Sequence, residues 1–514
     1  MSFGKLYHPL RKIVNPVAPT WDDFLEMLGR SNDQFEDFKN SIYGVSDDSP
    51  QVITPFDGTS YNTARAESDV AFKTYPLLIV YCRCVSDVVN AVKFAKMDPW
   101  IKVCVRAGGH NTAGYSVIQN GMVIDVSGMD GILIDPVKKE AIFQAGVRWG
   151  KANTELQVYN LHTPGGGCDD VGIAGFSMGG GYGYTALKHG MACDNIIEVT
   201  MVTADGQIVK ASEENDPDKL LWATKGGTGG NFGVMVDFKF RLYEIPEKVY
   251  TIELNWPIDM AAKVLTTWQN EMTITLNDRN LGILGFLAMD ADTEDRKAAT
   301  PYFCIRGIYS DKDAAAGMAS LKPLLDIGGY ELPSGQPPLF DPKSLVPYAY
   351  ANQHLLDAVE GSIPSTANET KRCAYIERQL SEEEYQQIVN YFVTAPCGYN
   401  IVSMEPYGGR INEIPSDECA FVHRNAYFDI FVDSFWINDI DENQARTWLH
   451  DFFEGEEFQN IWSNHIYQNY MNSEYKDWAD AYFGENYQQL RKVKTIFDPK
   501  SFFSYEQGIR PLDN

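Results

Sequence analysis

Two nucleophilic side chains, His110 and Cys168, end short glycine runs, Arg106-Ala-Gly-Gly-His110 and Pro164-Gly-Gly-Gly-Cys168, and stand 58 positions apart. Glycine lets a backbone approach a flat or phosphorylated ligand closely, because no Cβ intervenes and positive φ is accessible. A neutral imidazole nitrogen and a thiolate can each bond covalently to an electrophile. Their joint placement suggests a ligand that is held covalently as well as cradled. Taken singly, each has a plainer reading: a structural histidine, and a cysteine acting as a small buried hydrophobe. Further clusters follow at Gly172-Ile-Ala-Gly175, Ser177-Met-Gly-Gly-Gly-Tyr-Gly183 and Gly226-Gly-Thr-Gly-Gly-Asn-Phe-Gly233. The dinucleotide fingerprint G-x-G-x-x-G opens a helix after a first strand and has an acidic residue about 20 positions on. Gly179-Gly-Gly-Tyr-Gly183 lacks that context, and no P-loop signature occurs.

The elements that must position these runs can be read from periodicity. Leu77-Leu-Ile-Val-Tyr reads as a strand, Ser86 to Ala95 as a capped amphipathic helix, and Lys102 to Arg106 as a second strand. This is a βαβ-like unit, and the first glycine run begins where its second strand ends. Short strands at Met122 to Val126 and Glu140 to Gln144 precede a helix from Trp149 to Tyr159, which delivers the chain to the second run. Asp205-Gly206 signals a hairpin, Asp216 to Trp222 a capped helix, and Val234 to Leu242 an alternating strand. Ahead of all this, Trp21 to Leu28 carries apolar residues 21, 24, 25 and 28 on one helical face. Glycine density falls near Glu244-Ile-Pro-Glu-Lys, where we place a domain boundary. Strands (Tyr302 to Tyr309; Tyr427 to Val432) then alternate with helices (Asp311 to Leu325; Ser381 to Thr394), the pattern of an antiparallel sheet with helices on one side. A last helix ends before Asp498-Pro499.

Composition narrows the function classes. A chain of 514 residues is expected to form two packed domains. The formal charge of −27 argues against nucleic acid and anionic membranes as partners, since both are bound through clustered Lys and Arg. The nine cysteines form no C-x-x-C pair and no zinc spacing, and an odd count fits a disulfide framework poorly. No metal site is expected. The N-terminal residues lack the apolar core of a secretory signal, and no apolar run approaches the ~20 residues of a membrane span. The expectation is a cytoplasmic protein. The 28 tyrosines fit either an aromatic-lined cleft or a tyrosine-rich core.

Val105 to His110, Thr163 to Cys168 and Gly226 to Gly233 together resemble the berberine-bridge-enzyme-like flavoprotein oxidases, which have the vanillyl-alcohol-oxidase fold. Tyr407-Gly-Gly-Arg-Ile411 and Val422-His-Arg424 match the middle of that family's pattern. Tyr482-Phe-Gly-Glu-Asn486, Leu490 to Lys494 and Phe497-Asp-Pro499, with Phe503 and Ile509, match its tail. The likeness runs over about residues 50 to 514. It implies an α+β protein in four parts: an N-terminal helical extension (1–50), an FAD-binding domain (51–245), an antiparallel-sheet substrate domain (246–470) and a segment returning to the FAD domain (471–514). It also implies FAD joined covalently through His110 to the 8α-methyl carbon and through Cys168 to C6. Backbone around Arg106, Ala107, Gly108, Gly109 and Asn111, and around Gly165, Gly166, Gly167, Gly172 and Gly175, would cradle it, with Gly180, Gly233 and Asn486 as further contacts. Val171 stands where members that reoxidise with oxygen commonly carry valine.

For the base the likeness offers three candidates: Tyr470 of the Asn469-Tyr470 pair, Asp429, and Glu405 just before Tyr407-Gly-Gly409. A phenol near 10 must be lowered by the flavin or by cationic neighbours to serve at neutral pH. The implied reaction takes a hydroxyl proton to the base and a hydride to the flavin, with oxygen reduced to hydrogen peroxide. The expected partners are therefore a small-molecule substrate and O2, and the oligomeric state stays open. A carbohydrate oxidised to a lactone is the favoured substrate. Thr112 departs from the tyrosine common there in sugar oxidases and keeps a secondary-metabolite tailoring oxidase open. A non-catalytic flavoprotein is disfavoured by the intact His110, Cys168 and Tyr470.

Overall fold

The computed structural model describes residues 20–42, 51–69, 71–97, 101–275, 278–290, 296–360, 363–364, 366–438 and 441–513. The leading helix Trp21–Leu28 is fixed at both ends by local chemistry. Thr20 and Asp23 cap it reciprocally, and Gly29 closes it at φ 63°. Its buried Phe24 meets Phe35 of helix Asn32–Ser41 edge-on, and that second helix docks on helix Val85–Lys96, where Phe38 stacks on Phe94 at 3.9 Å.

The first sheet contains β1 (Val52–Ile53), β2 (Leu78–Tyr81), β3 (Val103–Arg106) and β4 (Met122–Asp125), in the order β1-β2-β4-β3. β2 and β3 run parallel, as a βαβ unit requires, but β4 lies between them. All four residues of β4 are buried, so it takes a place with neighbours on both sides, as strands covered on both faces do.

A second, antiparallel sheet is built from β5 (Ile132–Asp135), β6 (Glu140–Gln144), β8 (Ile196–Thr203), β9 (Ile208–Ser212) and β10 (Gly233–Arg241), in the order β5-β6-β10-β8-β9. The expected hairpin joins β8 to β9, with Gly206 at φ 72°. β7 (Leu161–His162) pairs separately with β11 (Tyr243–Glu244) beside the second glycine run.

The third sheet is antiparallel throughout: β12 (Val249–Pro257), β13 (Leu281–Asp290), β14 (Thr300–Tyr309), β15 (Leu345–Val346), β16 (Asn368–Ile376), β17 (Ile401–Pro406) and β18 (Phe428–Trp436), ordered β15-β12-β14-β13-β17-β18-β16. Phe428 meets Trp268 of helix Ala261–Gln269 edge-on at 5.5 Å, so the even positions of β18 face the helices. The odd positions, Asp429, Phe431 and Asp433, face the glycine loops. Register carries this face across the sheet, because directly opposed residues share a side: Asp429 opposes Glu405 and Tyr375, and Asp433 opposes Lys371.

The tail binds the layers together. Buried Lys494 of helix Tyr487–Phe497 donates to Asn231 O (2.5 Å), Asp498 Oδ2 (2.7 Å) and Phe503 O (2.7 Å), and Phe503 bridges to Val103 of β3. Among the described residues, no helix is long and apolar enough to cross a membrane.

Candidate active site

The glycine loops and the odd-position face of the third sheet enclose a cavity of about 500 Å³. His110 and Cys168 both line it, with Val171 beside Cys168. They meet there because two loops touch backbone to backbone. A Cβ built on Gly108 would lie 2.4 Å from Gly172 N, and one on Gly172 would lie 2.6 Å from Gly108 N. The second loop is held from behind: Trp149 N donates to Val171 O (3.1 Å), Gly150 N to Asp169 O (3.1 Å) and Ile173 N to Val147 O (2.8 Å). The first is held by Asn111, whose Oδ1 accepts from the Ala113 and Tyr115 amides, and by Thr112, whose hydroxyl donates to Met471 O at 2.7 Å. Burial lowers the pKa of His110, which keeps its imidazole neutral and able to act as a nucleophile.

Opposite the loops stands Tyr470, whose hydroxyl donates to Glu405 Oε1 at 3.3 Å. The segment bearing Tyr470 is clamped to the glycine turn. Gly181 N donates to Tyr467 OH (2.7 Å), and Asn469 Nδ2 donates to Phe176 O and Tyr467 OH (2.8 Å each). Gly179 leaves the room this needs, since a Cβ there would stand 1.9 Å from Asn469 Oδ1. Burial raises Glu405 to about 8, against the lowering effects of the Tyr470 hydrogen bond and Lys371. Burial likewise drives Tyr470 well above the ordinary phenol value, with the Glu405 carboxylate adding to the rise. The protein groups around Tyr470 thus favour its protonated form.

Lys371, which sequence reasoning missed, lies 5.0 Å from the Tyr470 ring centroid and 5.0 Å from that of Phe431, and pairs with Asp433 Oδ1 at 2.8 Å. Its signal was not local. It comes from the register of β16 against β18, which sets Lys371 opposite Asp433.

Several expected contacts fall elsewhere. Asp429 shares the face of Glu405 but is fully buried and does not line the cavity; burial, then the Glu405 charge, raises its pKa well above the carboxylate range. Burial thus favours its protonated form. The Arg106 side chain turns away from the cavity to pair with Asp125, with Tyr81 OH at 3.5 Å. Gly165 packs on the Trp149 ring and Gly180, at φ 132°, on Phe421 and Tyr467, so both serve packing rather than the wall. Asn486 donates to the Ser416 (2.7 Å) and Cys419 (3.1 Å) carbonyls, tying the tail helix to that turn. Ala107, Gly108, Gly109, Asn111, Gly166, Gly167, Gly172, Gly175 and Gly233 do line the cavity.

The residues present fit a flavin nucleotide. The loops approach so closely that side chains are excluded, and cavity-lining polar atoms, among them Tyr115 OH, Tyr182 OH and Glu405 Oε2, have no hydrogen-bond partner within the protein. Buried polar groups are rarely left so, and a ligand satisfies them. Fold and cavity together are those of an FAD-binding oxidoreductase.

Two family models match the chain: FAD binding domain, over residues 76–212, and Berberine and berberine like, over residues 466–510. These matches make the chain an FAD-linked oxidoreductase similar to the berberine-bridge-enzyme-like proteins, with their vanillyl-alcohol-oxidase type of fold. It is 29% identical over 464 residues to the FAD-linked oxidoreductase YgaK of Bacillus subtilis, covering 90% of this chain and 97% of the relative. It is 25% identical over 520 residues to tetrahydroberberine oxidase of Berberis wilsoniae, covering 95% and 96%. The solved structure of a chitooligosaccharide oxidase superposes with a TM-score of 0.74 at 23% identity, covering 89% and 96%.

Proposed function

We propose that the protein is an oxidase that removes a hydride from an alcohol or hemiacetal carbon, with a carbohydrate oxidised to its lactone as the first reading. The observation that carries it is the Tyr470 hydroxyl on Glu405 Oε1 at the cavity wall. The substrate hydroxyl gives its proton to Tyr470 Oη as Tyr470 passes its own to Glu405. Relay suits these groups better than a free phenolate, because burial opposes ionisation of Tyr470 while Glu405, at about 8, can accept a proton near neutral pH. Asp429, buried and neutral beside Glu405, places no second negative charge there. Lys371 favours negative charge on the Tyr470–Glu405 pair as the proton moves. FAD, which His110 and Cys168 would hold covalently, would supply the hydride acceptor and a route for two electrons to oxygen. The unpartnered hydroxyls of Tyr115 and Tyr182 suit a hydroxyl-rich ligand.

A second reading, oxidation of a secondary-metabolite alcohol or oxidative ring closure, is favoured by the apolar side of the same wall. Leu284, Phe286 and Phe431 line it, and Thr112 is committed to the Met471 carbonyl. A peroxide-coupled screen of mono- and oligosaccharides beside polyketide and alkaloid alcohols separates the two. Turnover of sugars supports the first reading. Flavin reduction by aromatic alcohols alone replaces it with the second, and negligible reoxidation of reduced flavin by air overturns the oxidase assignment.

A further inference from the structure

Away from the cavity, two thiols distant in sequence meet at a buried guanidinium. Cys193, in the turn Ala192–Asn195, and Cys419 are both fully or almost fully buried, and their sulfurs and an Asp194 carboxylate oxygen lie within 4.8 Å of one another. Arg424 donates to both Asp194 oxygens (2.6 and 3.0 Å) and to Cys419 Sγ (3.2 Å), and also to the Phe421 carbonyl (3.2 Å). A metal ion is disfavoured in this group, because Arg424 already places a positive charge on the carboxylate and on one sulfur. A hydrogen bond from Cys193, helped by Arg424, pulls the Cys419 thiol down to about 6, whereas burial pushes Cys193 well above the ordinary thiol value. One thiolate and one resolving thiol is the arrangement of a redox pair. Asp417 and Glu418, just before Cys419, are exposed, so solvent lies two residues away.

We propose that Cys193 and Cys419 form a peroxide-responsive dithiol that closes to a disulfide. The Cys419 thiolate attacks one peroxide oxygen, the O–O bond breaks and hydroxide leaves, giving a sulfenic acid. Cys193 then attacks that sulfur, the S–O bond breaks, and the departing oxygen leaves as water with the thiol proton. In sum, two thiols lose two electrons and two protons, and peroxide becomes two waters. The sulfurs, now within 4.8 Å, must close to about 2.05 Å. The bond would staple the turn under the catalytic segment to the 419–424 strand connection: Cys193 N donates to Gly180 O and Ala192 N to Gly181 O (2.8 Å each), and Gly181 N holds Tyr467. The inference rests on the oxidase reading only for the source of peroxide in turnover.

The test treats the flavin-loaded protein with added hydrogen peroxide, so it is independent of any substrate. Expected, when alkylation follows unfolding in denaturant, are the loss of both thiols, recovery with dithiothreitol, and a peptide pair joined through Cys193 and Cys419. In Cys193→Ser the linked pair disappears and Cys419 takes a dimedone adduct; in Cys419→Ser neither forms. The proposal is overturned if both wild-type thiols stay fully alkylatable after peroxide, if Cys193 links to another cysteine, or if a stoichiometric metal masks the pair. If a serine variant fails to fold, the wild-type peptide map alone decides.

Discussion

Replacing Glu405 by glutamine tests the proton relay most directly. Glutamine keeps an oxygen to accept the Tyr470 hydrogen bond, 3.3 Å long in the wild type, but cannot take the proton. With Glu405 at about 8, only about one tenth of molecules carry its carboxylate at pH 7. The wild-type kcat/KM should therefore rise about tenfold between pH 7 and a plateau above pH 9. Glu405→Gln should lose that ascending limb and fall about 10²- to 10⁴-fold at the plateau, on the order of 3–5 kcal/mol of barrier. Stability supplies a second readout. A carboxyl raised from 4.5 to about 8 in the fold binds a proton that the unfolded chain releases. Stability is thus greatest below the lower value and is lost as pH rises through the folded one, by about a few kcal/mol. Glu405→Gln should unfold with a flatter dependence between pH 5 and 8. Steady-state rates across pH with an identified substrate, beside urea unfolding of both proteins, measure the two effects. A variant that keeps the wild-type rate and its ascending limb refutes the relay.

Three further outcomes are expected. Gly172→Ala forces a methyl group against the Gly108 backbone, so it should cost about 1–3 kcal/mol and leave protein that binds flavin poorly, read from the ratio of visible to ultraviolet absorbance. His110→Ala and Cys168→Ala should each retain flavin in the acid-precipitated pellet through the remaining bond, while the double variant releases it to the supernatant. Lys494→Met strands the Asp498 carboxylate in a fully buried site and should cost about 3–5 kcal/mol in urea unfolding.

What was legible in the sequence was what short-range chemistry decides. The apolar face of Trp21–Leu28, the Asp205-Gly206 turn and the helix after Trp149 each follow from residues a few positions apart. The glycine runs were legible as a cradle because glycine marks close backbone approach wherever it falls. Illegible were quantities fixed by register and strand order. β4 entering between β2 and β3 depends on pairing across the sheet, and Lys371 reaches the cavity only through its alignment with Asp433. Arg106 and Asn486 show a different limit. Motif position located their backbones, but Asp125 on the neighbouring strand and the Ser416–Cys419 carbonyls decide where their side chains go.

The clamp between the glycine turn and the segment carrying Tyr470 bears on how the protein is made. Cys168 precedes Tyr470 by 302 residues, so at ~5–20 residues per second the ribosome delivers the cradle about 15–60 s before its far wall. Throughout that interval His110 and Cys168 lack the wall that Tyr470 supplies. Asn469 and Tyr467 then lock the last wall onto Gly179 and Gly181. On the proposed covalent attachment, riboflavin-starved cells should accumulate chains closed over an empty cradle.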